Sequence, residues 1–535
     1  FGHANVTLRG GSRIERCNAR SNGGGFWIYS DSHVEMDGSV IGECHAAVSG
    51  GFDIGWGGSS ALLARNSVRG ATQTCKQRAR PPCVQHFPTS LAPRQTVENC
   101  TAENQAGAGA LWHGVKAMLI DCRVLQCHSS NVNGGITAMG GSFLEMIRGT
   151  VTGCTCNKLG GAMQTYTGGK ILLVEVLIAD CQTTGDQNDG GGIHMLDGTV
   201  TMRGGAIRNC EALNADGGAL AVKGAGCEVQ LSGVTVHGCR AGGYGGFLRQ
   251  SAGTVRLADV SIEECVAGGG AAVSWAEDTV HAERVRVVKT IGMNLFGTSS
   301  WTDCTFSGGS LWIAGGTHTF TRTTFARYGL TIAPGSIMTM LDSHFSECTG
   351  RCLDVQGGTM VLQNTAFRNC STPPWILFSA EAASNFRSEL LTLEPPCNAD
   401  PSTALISVDS SFTEPLNVRG LRVVPPVACA SANFSVFSDH LRLLNCSDGD
   451  DVCGSAATCT NVQPLLSAPG LMTVNCSCQG EFFPNPNGTS LALAPYGFDP
   501  STIGLPGATV DYCVRSTTRL EPAREYLCGQ AHFPS

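Results

Sequence analysis

Apolar and polar residues alternate in short runs along this chain, as in TVTMRGGAI (199–207), CEVQLSGVTV (227–236) and TVRLADVSI (254–262). A period of two belongs to a strand with one buried face, not to a helix. The runs are short and are closed by Gly, Asn or Asp. A longer mark overlies them: an apolar residue, two spacers, a cysteine and then a pair of glycines, as in IRNCEALNADGGALAV (207–222), VTGCTCNKLGGAM (151–163) and VHGCRAGGYGGFL (236–248). The apolar-x-x-Cys unit ends at Cys17, Cys44, Cys100, Cys122, Cys127, Cys154, Cys181, Cys210, Cys239, Cys265, Cys304, Cys348, Cys370 and Cys446. From Cys154 to Cys265 its spacings are 27, 29, 29 and 26 residues.

Short strands at such a period predict a β-solenoid, each period being one coil and neighbouring coils stacking ~4.8 Å apart through backbone hydrogen bonds. Equivalent residues then lie above one another. The apolar residue builds a stripe of core, and the cysteine enters a strand-to-strand corner. The Gly-Gly supplies a corner that needs positive φ or close approach of another coil. The insertion QTTGDQND (182–189) is expected to protrude. Stacked cysteines at this spacing form either disulfides or a buried thiol ladder.

Composition narrows the class. Of 535 residues, 42% are hydrophobic, which argues against disorder, and the 69 glycines fit a chain of many turns. A net charge of −8 excludes the basic face of a nucleic-acid binder. The 27 cysteines include no zinc-ribbon pairs, and together with sequons at Asn5, Asn99, Asn369, Asn433, Asn445, Asn475 and Asn487 they point to an oxidising compartment, extracellular or at the cell surface. No apolar run reaches the ~20 residues that span a bilayer; the longest, ILLVEVLIA (171–179), contains Glu175 and reads as a strand. The chain opens already in repeat register, as expected of a fragment of a larger secreted or surface protein.

Two stretches break the repeat. Residues 70–96 read as a loop extruded from the solenoid and closed by Cys75–Cys83, and residues 372–445 as degenerate coils or a cap, with Cys397–Cys429 a candidate staple. Solenoid repeats therefore occupy 1–371. From 446 to 513 the cysteines follow a new order, Cys446, Cys453, Cys459, Cys476, Cys478 and Cys513, which permits fifteen pairings. Residues 514–535 begin a further segment.

Two resemblances follow from these marks. GGAM (160–163), GGAI (204–207) and GGAL (217–220) resemble a tetrapeptide of the polymorphic outer-membrane adhesin family, with looser matches at GGIT (134–137), GGIH (191–194) and GGFL (245–248). That family's second mark, Phe-x-x-Asn, is replaced here by apolar-x-x-Cys, with Phe only at 345 and 367. The resemblance implies a right-handed, pectin-lyase-like parallel β-helix used in surface adhesion, and the departure implies a distant eukaryotic relative. The cysteine order of 446–513 resembles an EGF-like module, which implies the pairs 446–459, 453–476 and 478–513. Its acidic run (448–451) is not placed as in calcium-binding versions, and no calcium or other cofactor is expected.

The same fold hosts polysaccharide lyases and glycosidases, whose chemistry needs paired carboxylates with a basic partner. The candidates are Asp186, Asp189, His194 and Asp197 in one coil, with Asp216 one coil on; Asp in turns for local reasons is the competing reading. His113 beside Trp112 reads as a packed residue. Lys76, Arg78 and Arg80 are candidates for binding anionic glycan. Trp27, Trp56, Trp275, Trp301 and Trp312 either stack on sugars or fill the core. The expected fold class is therefore all-β, a parallel β-helix followed by a small disulfide-rich module. The expected role is a non-catalytic adhesion or matrix-contact scaffold meeting glycans or extracellular proteins. The alternatives are a divergent polysaccharide lyase or glycoside hydrolase, and a purely structural wall or matrix component.

Overall fold

The structure is a computed structural model that describes residues 3–9, 11–55, 59–63, 96–186, 189–275, 279–290, 292–371, 374–378, 384–394, 406–408, 417–419 and 422–423, with strands at 457–462, 473–478, 482–484 and 513–515. The described residues are all-β, and none of their segments is a helix long and apolar enough to cross a membrane. The chain divides into two units, 1–279 and 280–535.

In the first unit one coil consists of four short strands. The coil that begins at Ile136 runs through Ile136–Met139, Phe143–Ile147, Thr150–Thr152 and Thr155–Cys156. Each strand pairs in parallel with its counterpart one period later: Ile136 with Met163, Phe143 with Lys170, Thr150 with Leu177 and Thr155 with Gln182. The fourth strands alone build a nine-stranded ladder. One sequence period is thus one coil of a parallel β-solenoid.

The apolar residue of the repeat stacks as expected. Val97, Val124, Val151, Ile178, Ile207, Val236 and Ile262 are consecutive partners in the register, and none is more than 1% exposed. Burying each such side chain is worth about 1.5–3 kcal/mol. ILLVEVLIA lies in the strand Lys170–Ala179, bent at Glu175, whose φ is 54°.

Three residues past each apolar position stands the cysteine. Cys44, Cys100, Cys127, Cys154, Cys181, Cys210, Cys239 and Cys265 are buried free thiols. Each S–H finds the carbonyl two residues back, as from Cys181 to Ala179 (3.2 Å) and from Cys44 to Gly42 (3.2 Å). Burial pushes Cys127, Cys181 and Cys239 well above the ordinary thiol range, while Cys154 and Cys210 are drawn down by S–H donors on the coils above and below. Of the two arrangements open to stacked cysteines, the structure has the thiol ladder.

The Gly-Gly corner meets both demands. Gly160 takes φ 72°, whereas a Cβ on Gly161 would stand 2.2 Å from the Gly191 carbonyl of the next coil. One expectation needs correction. Most of 182–189 does not protrude: Gln182–Asp186 is a strand of the fourth ladder, with a register shift between Thr183 and Asp186 that absorbs one extra residue.

The second unit keeps parallel stacking with shorter coils. Thr305 pairs with Thr324, Thr324 with His344 and His344 with Ala366. Its core is aromatic: Phe306, Phe325, Phe345 and Phe367 stack with ring centroids 4.9, 4.9 and 4.6 Å apart. Strands at Ile376–Phe378 and Ser384–Glu394 continue the parallel pairing past residue 371. Further on, Ala457–Val462 pairs antiparallel with Thr473–Cys478, setting Cys459 opposite Cys476, and Phe482–Pro484 pairs antiparallel with Cys513–Arg515.

Candidate functional site

The first strand of each coil in the first unit is only three or four residues long, with its ends turned into the core and its middle residue turned out. Ile193 and Met195 are core residues, so His194 faces outward. The parallel register stacks these middle residues into one column that includes Asp53, Thr137, Gln164, His194, Arg249 and Ser274. A row facing outward should be wet, yet Asp53, Thr137, His194 and Ser274 are no more than 1% exposed. The Gly-Gly corner folds back over it: the Cβ position of Gly190 lies 2.9 Å from the Cβ of His194. The column is therefore the floor of a covered, polar strip.

Asp189 and Asp216 edge this strip. Both open an Asp-Gly-Gly triplet, so they occupy equivalent places in successive coils. The Asp216 N–H donates to Asp189 Oδ1 (3.1 Å), and the Tyr244 N–H one coil further donates to Asp216 Oδ1 (2.7 Å). Each carboxylate also meets a cation. Lys223 Nζ is ion-paired with Asp189 Oδ2, and Arg249 Nε lies 3.4 Å from Asp216 Oδ2. Arg249 also donates to Ser274 Oγ and sits 5.5 Å from the Tyr244 ring centroid.

Beside this network lies a neutral imidazole. Burial and the charge of Lys223 pull His194 down to about 3, and neither ring nitrogen has a hydrogen-bond partner among the described residues. At the other end of the column, burial raises Asp53 to about 7, against the pull of Trp112. Exposed rings flank the strip: Tyr29 just past a first strand, Tyr166 at the end of one and Tyr244 ahead of one.

Of the carboxylate candidates, the structure gathers Asp189 and Asp216, and brings His194 within electrostatic reach of the Lys223 that pairs with Asp189. Asp197 lies beyond the far end of the His194 strand, its Oδ1 2.4 Å from the Cβ position of Gly226. Asp186 closes the strand Gln182–Asp186, and its side chain is outside the described residues. His113 is not packed inside: it is exposed at a turn with φ 57°, its ring centroid 6.4 Å from that of Trp112. Trp301 is core, while Trp27 and Trp312 are 41% and 44% exposed. Trp56 and the side chain of Trp275 lie outside the described residues, as do Lys76, Arg78, Arg80, Cys75, Cys83, Cys397, Cys429, Cys446 and Cys453. For Cys459, Cys476, Cys478 and Cys513 only the strand backbone is described. Of the sequon residues, Asn5, Asn99 and Asn369 are exposed, Asn475 lies in a described strand, and Asn433, Asn445 and Asn487 fall outside.

Lys223, Arg249 and Tyr244 were not singled out from sequence. The signal was the repeated Asp-Gly-Gly, which fixes the coil register and so sets the residues of the next strand beside each Asp. The chain matches no protein-family model and no curated protein, so its likeness to the adhesin family rests on the Gly-Gly tetrapeptides alone.

Proposed function

We propose that this protein is a non-catalytic, extracellular β-solenoid that presents the exposed tyrosines bordering its short-strand face as a contact surface for glycan or matrix ligands. The observation that carries this reading is the neutralisation of the carboxylates. Glycoside cleavage needs one carboxyl group that gives a proton and one that stays free as base or nucleophile. Asp189 and Asp216 are each matched to a cation and to a backbone N–H, an arrangement that serves rigid hydrogen-bonding and stacking better than proton transfer. Tyr29, Tyr166 and Tyr244 supply exposed rings along the strip, and aromatic faces suit sugar rings and protein surfaces alike.

Right-handed winding is expected from the general rule for parallel crossovers. The extracellular placement draws on the exposed Asn5, Asn99 and Asn369 and on the EGF-like cysteine order of 446–513. The buried thiols of the ladder do not bear on it. Regular stacking makes a stiff spacer whose corners are free to vary.

The test is to pass a panel of acidic and neutral polysaccharides over the purified chain, with and without calcium, recording retention and newly formed reducing or unsaturated ends together. Retention without new ends is expected, weakened at least tenfold in the Tyr166→Ala, Tyr244→Ala double variant. New ends that vanish with Asp189→Asn or His194→Gln would overturn the reading in favour of a divergent lyase or glycosidase. Neither signal would leave a purely structural role.

A further inference from the structure

We propose that Cys348, Cys352 and Cys370, in the second unit, form a buried three-thiolate site for a soft monovalent cation, copper(I). The three sulfurs lie within 4.8 Å of one another, with Cys352 Sγ and Cys370 Sγ 3.3 Å apart, and all three residues are buried. Among the described residues no other three metal-ligating side chains gather so closely.

The fold explains why the triangle arises here. Cys348 and Cys370 are equivalent residues of successive coils, since Phe345 pairs with Phe367 and the Ser371 N–H donates to the Cys348 carbonyl (2.9 Å). Two stacked thiols make a line, as in the ladder of the first unit. The third sulfur comes from a shortcut. After Cys348 the chain makes no fourth strand but bends through 349–352 straight into Leu353–Val355. That bend tucks Cys352 against the stacked pair.

The dimensions suit an ion. At metal–sulfur distances of about 2.3 Å, a cation held evenly by three sulfurs needs them about 4 Å apart. The observed separations, from 3.3 Å to within 4.8 Å, bracket that value, so small side-chain rotations suffice. Thiolate ligands select soft metals. Structural zinc takes four ligands, and among the described residues no histidine, carboxylate or further cysteine joins the cluster. Three-coordinate copper(I) is the ion that leaves no vacancy. Binding involves no change of oxidation state: each thiol that ligates gives its proton to solvent as its sulfur lone pair bonds the ion.

The experiment uses the full chain, purified metal-free with a reductant. Copper(I) is titrated against a chromophoric copper(I) chelator, and X-ray absorption is recorded on the 1:1 complex. The expected result is one equivalent retained against the chelator with a single shell of three sulfurs. Affinity should fall at least tenfold in Cys352→Ser and Cys370→Ser and be unchanged in Cys181→Ser of the thiol ladder. A shell of two or four sulfurs, equal uptake by Cys370→Ser, or equal loss in Cys181→Ser would overturn the proposal. So would a Cys352–Cys370 disulfide, recovered by peptide mapping after unfolding the unreduced chain in alkylating agent. Should the serine variants fail to fold, judged by far-ultraviolet circular dichroism, the sulfur shell of the unsubstituted chain decides.

Discussion

The corner residue just before each ladder cysteine is seldom glycine, although its backbone is left-handed. Arg16, Glu43, Asn99, Gln126, Asp180, Asn209 and Glu264 all have φ between 51° and 56°. Asn and Asp tolerate this region best, but Arg, Glu and Gln occupy it here, so the stacking imposes the bend on whatever residue falls there. Two sequons, at Asn99 and Asn369, arise where an Asn takes this corner before a buried Cys; a structural preference therefore contributes to the sequon count. Glycine is required where space is short. Gly161→Ala, whose Cβ would meet a backbone oxygen at 2.2 Å, is expected to abolish cooperative folding. Gly141→Ala, with φ 74° and open space around it, should cost only about 1–2 kcal/mol in denaturant melts. His194 and Asp53, both buried in the strip, should act in opposite directions with pH. The folded His194 titrates near 3 and the unfolded near ~6.5, so the unfolded chain takes the proton first and stability falls as pH drops through that window. His194→Gln should remove an acid-dependent loss of up to about 5 kcal/mol. The folded Asp53 titrates near 7 and the unfolded near ~3.9, so stability falls as pH rises between them, and Asp53→Asn should relieve a comparable loss at pH 8. Melts of both variants at pH 4, 6 and 8 check the signs.

Single strands of two to five residues have almost no stability alone; the stacked column is the unit that holds. In the second unit the Phe306–Phe325–Phe345–Phe367 stack shows this, each ring lying nearly parallel on the next, at 7°, 19° and 8°. Phe345 is sandwiched between two rings, and Phe345→Ala should cost about 3–5 kcal/mol, with Phe345→Leu recovering part of it, as read from urea unfolding. The thiol ladder is the equivalent column in the first unit. Its sulfurs are buried and protonation is favoured at Cys127, Cys181 and Cys239, so peptides carrying these residues should resist maleimide in the native chain and label fully after denaturation. Blocked thiols after denaturation would instead show that the ladder closes into disulfides.

At the scale of the molecule, each coil of the first unit meets only the coils on either side, so energy is close to a sum over neighbours. Residues 136–162 make one full turn, because Met163 occupies the register position of Ile136 one coil on. Deleting 136–162 should leave a folded chain with an unchanged β-sheet spectrum and one coil fewer. Deleting only 136–148 should leave strands facing the wrong partners and give aggregated protein. Size-exclusion chromatography and circular dichroism distinguish the outcomes.

The coil is written in the local sequence. Alternation fixed the strands, the apolar-x-x-Cys interval fixed the core column, and Gly-Gly fixed the tight corner, because each is a local demand repeated at every turn. The Asp189–Asp216 neighbourhood was also legible, since both lie one period apart in the same triplet. Stacking adds the rest, and it acts only once coils meet in three dimensions. It covered His194 and Asp53 although both face away from the core, and it paired the two aspartates with Lys223 and Arg249 from neighbouring strands. It drew the 182–186 segment into a ladder and turned a line of two thiols into a triangle at Cys352. Those outcomes depend on distances between coils, which no single period of the sequence contains.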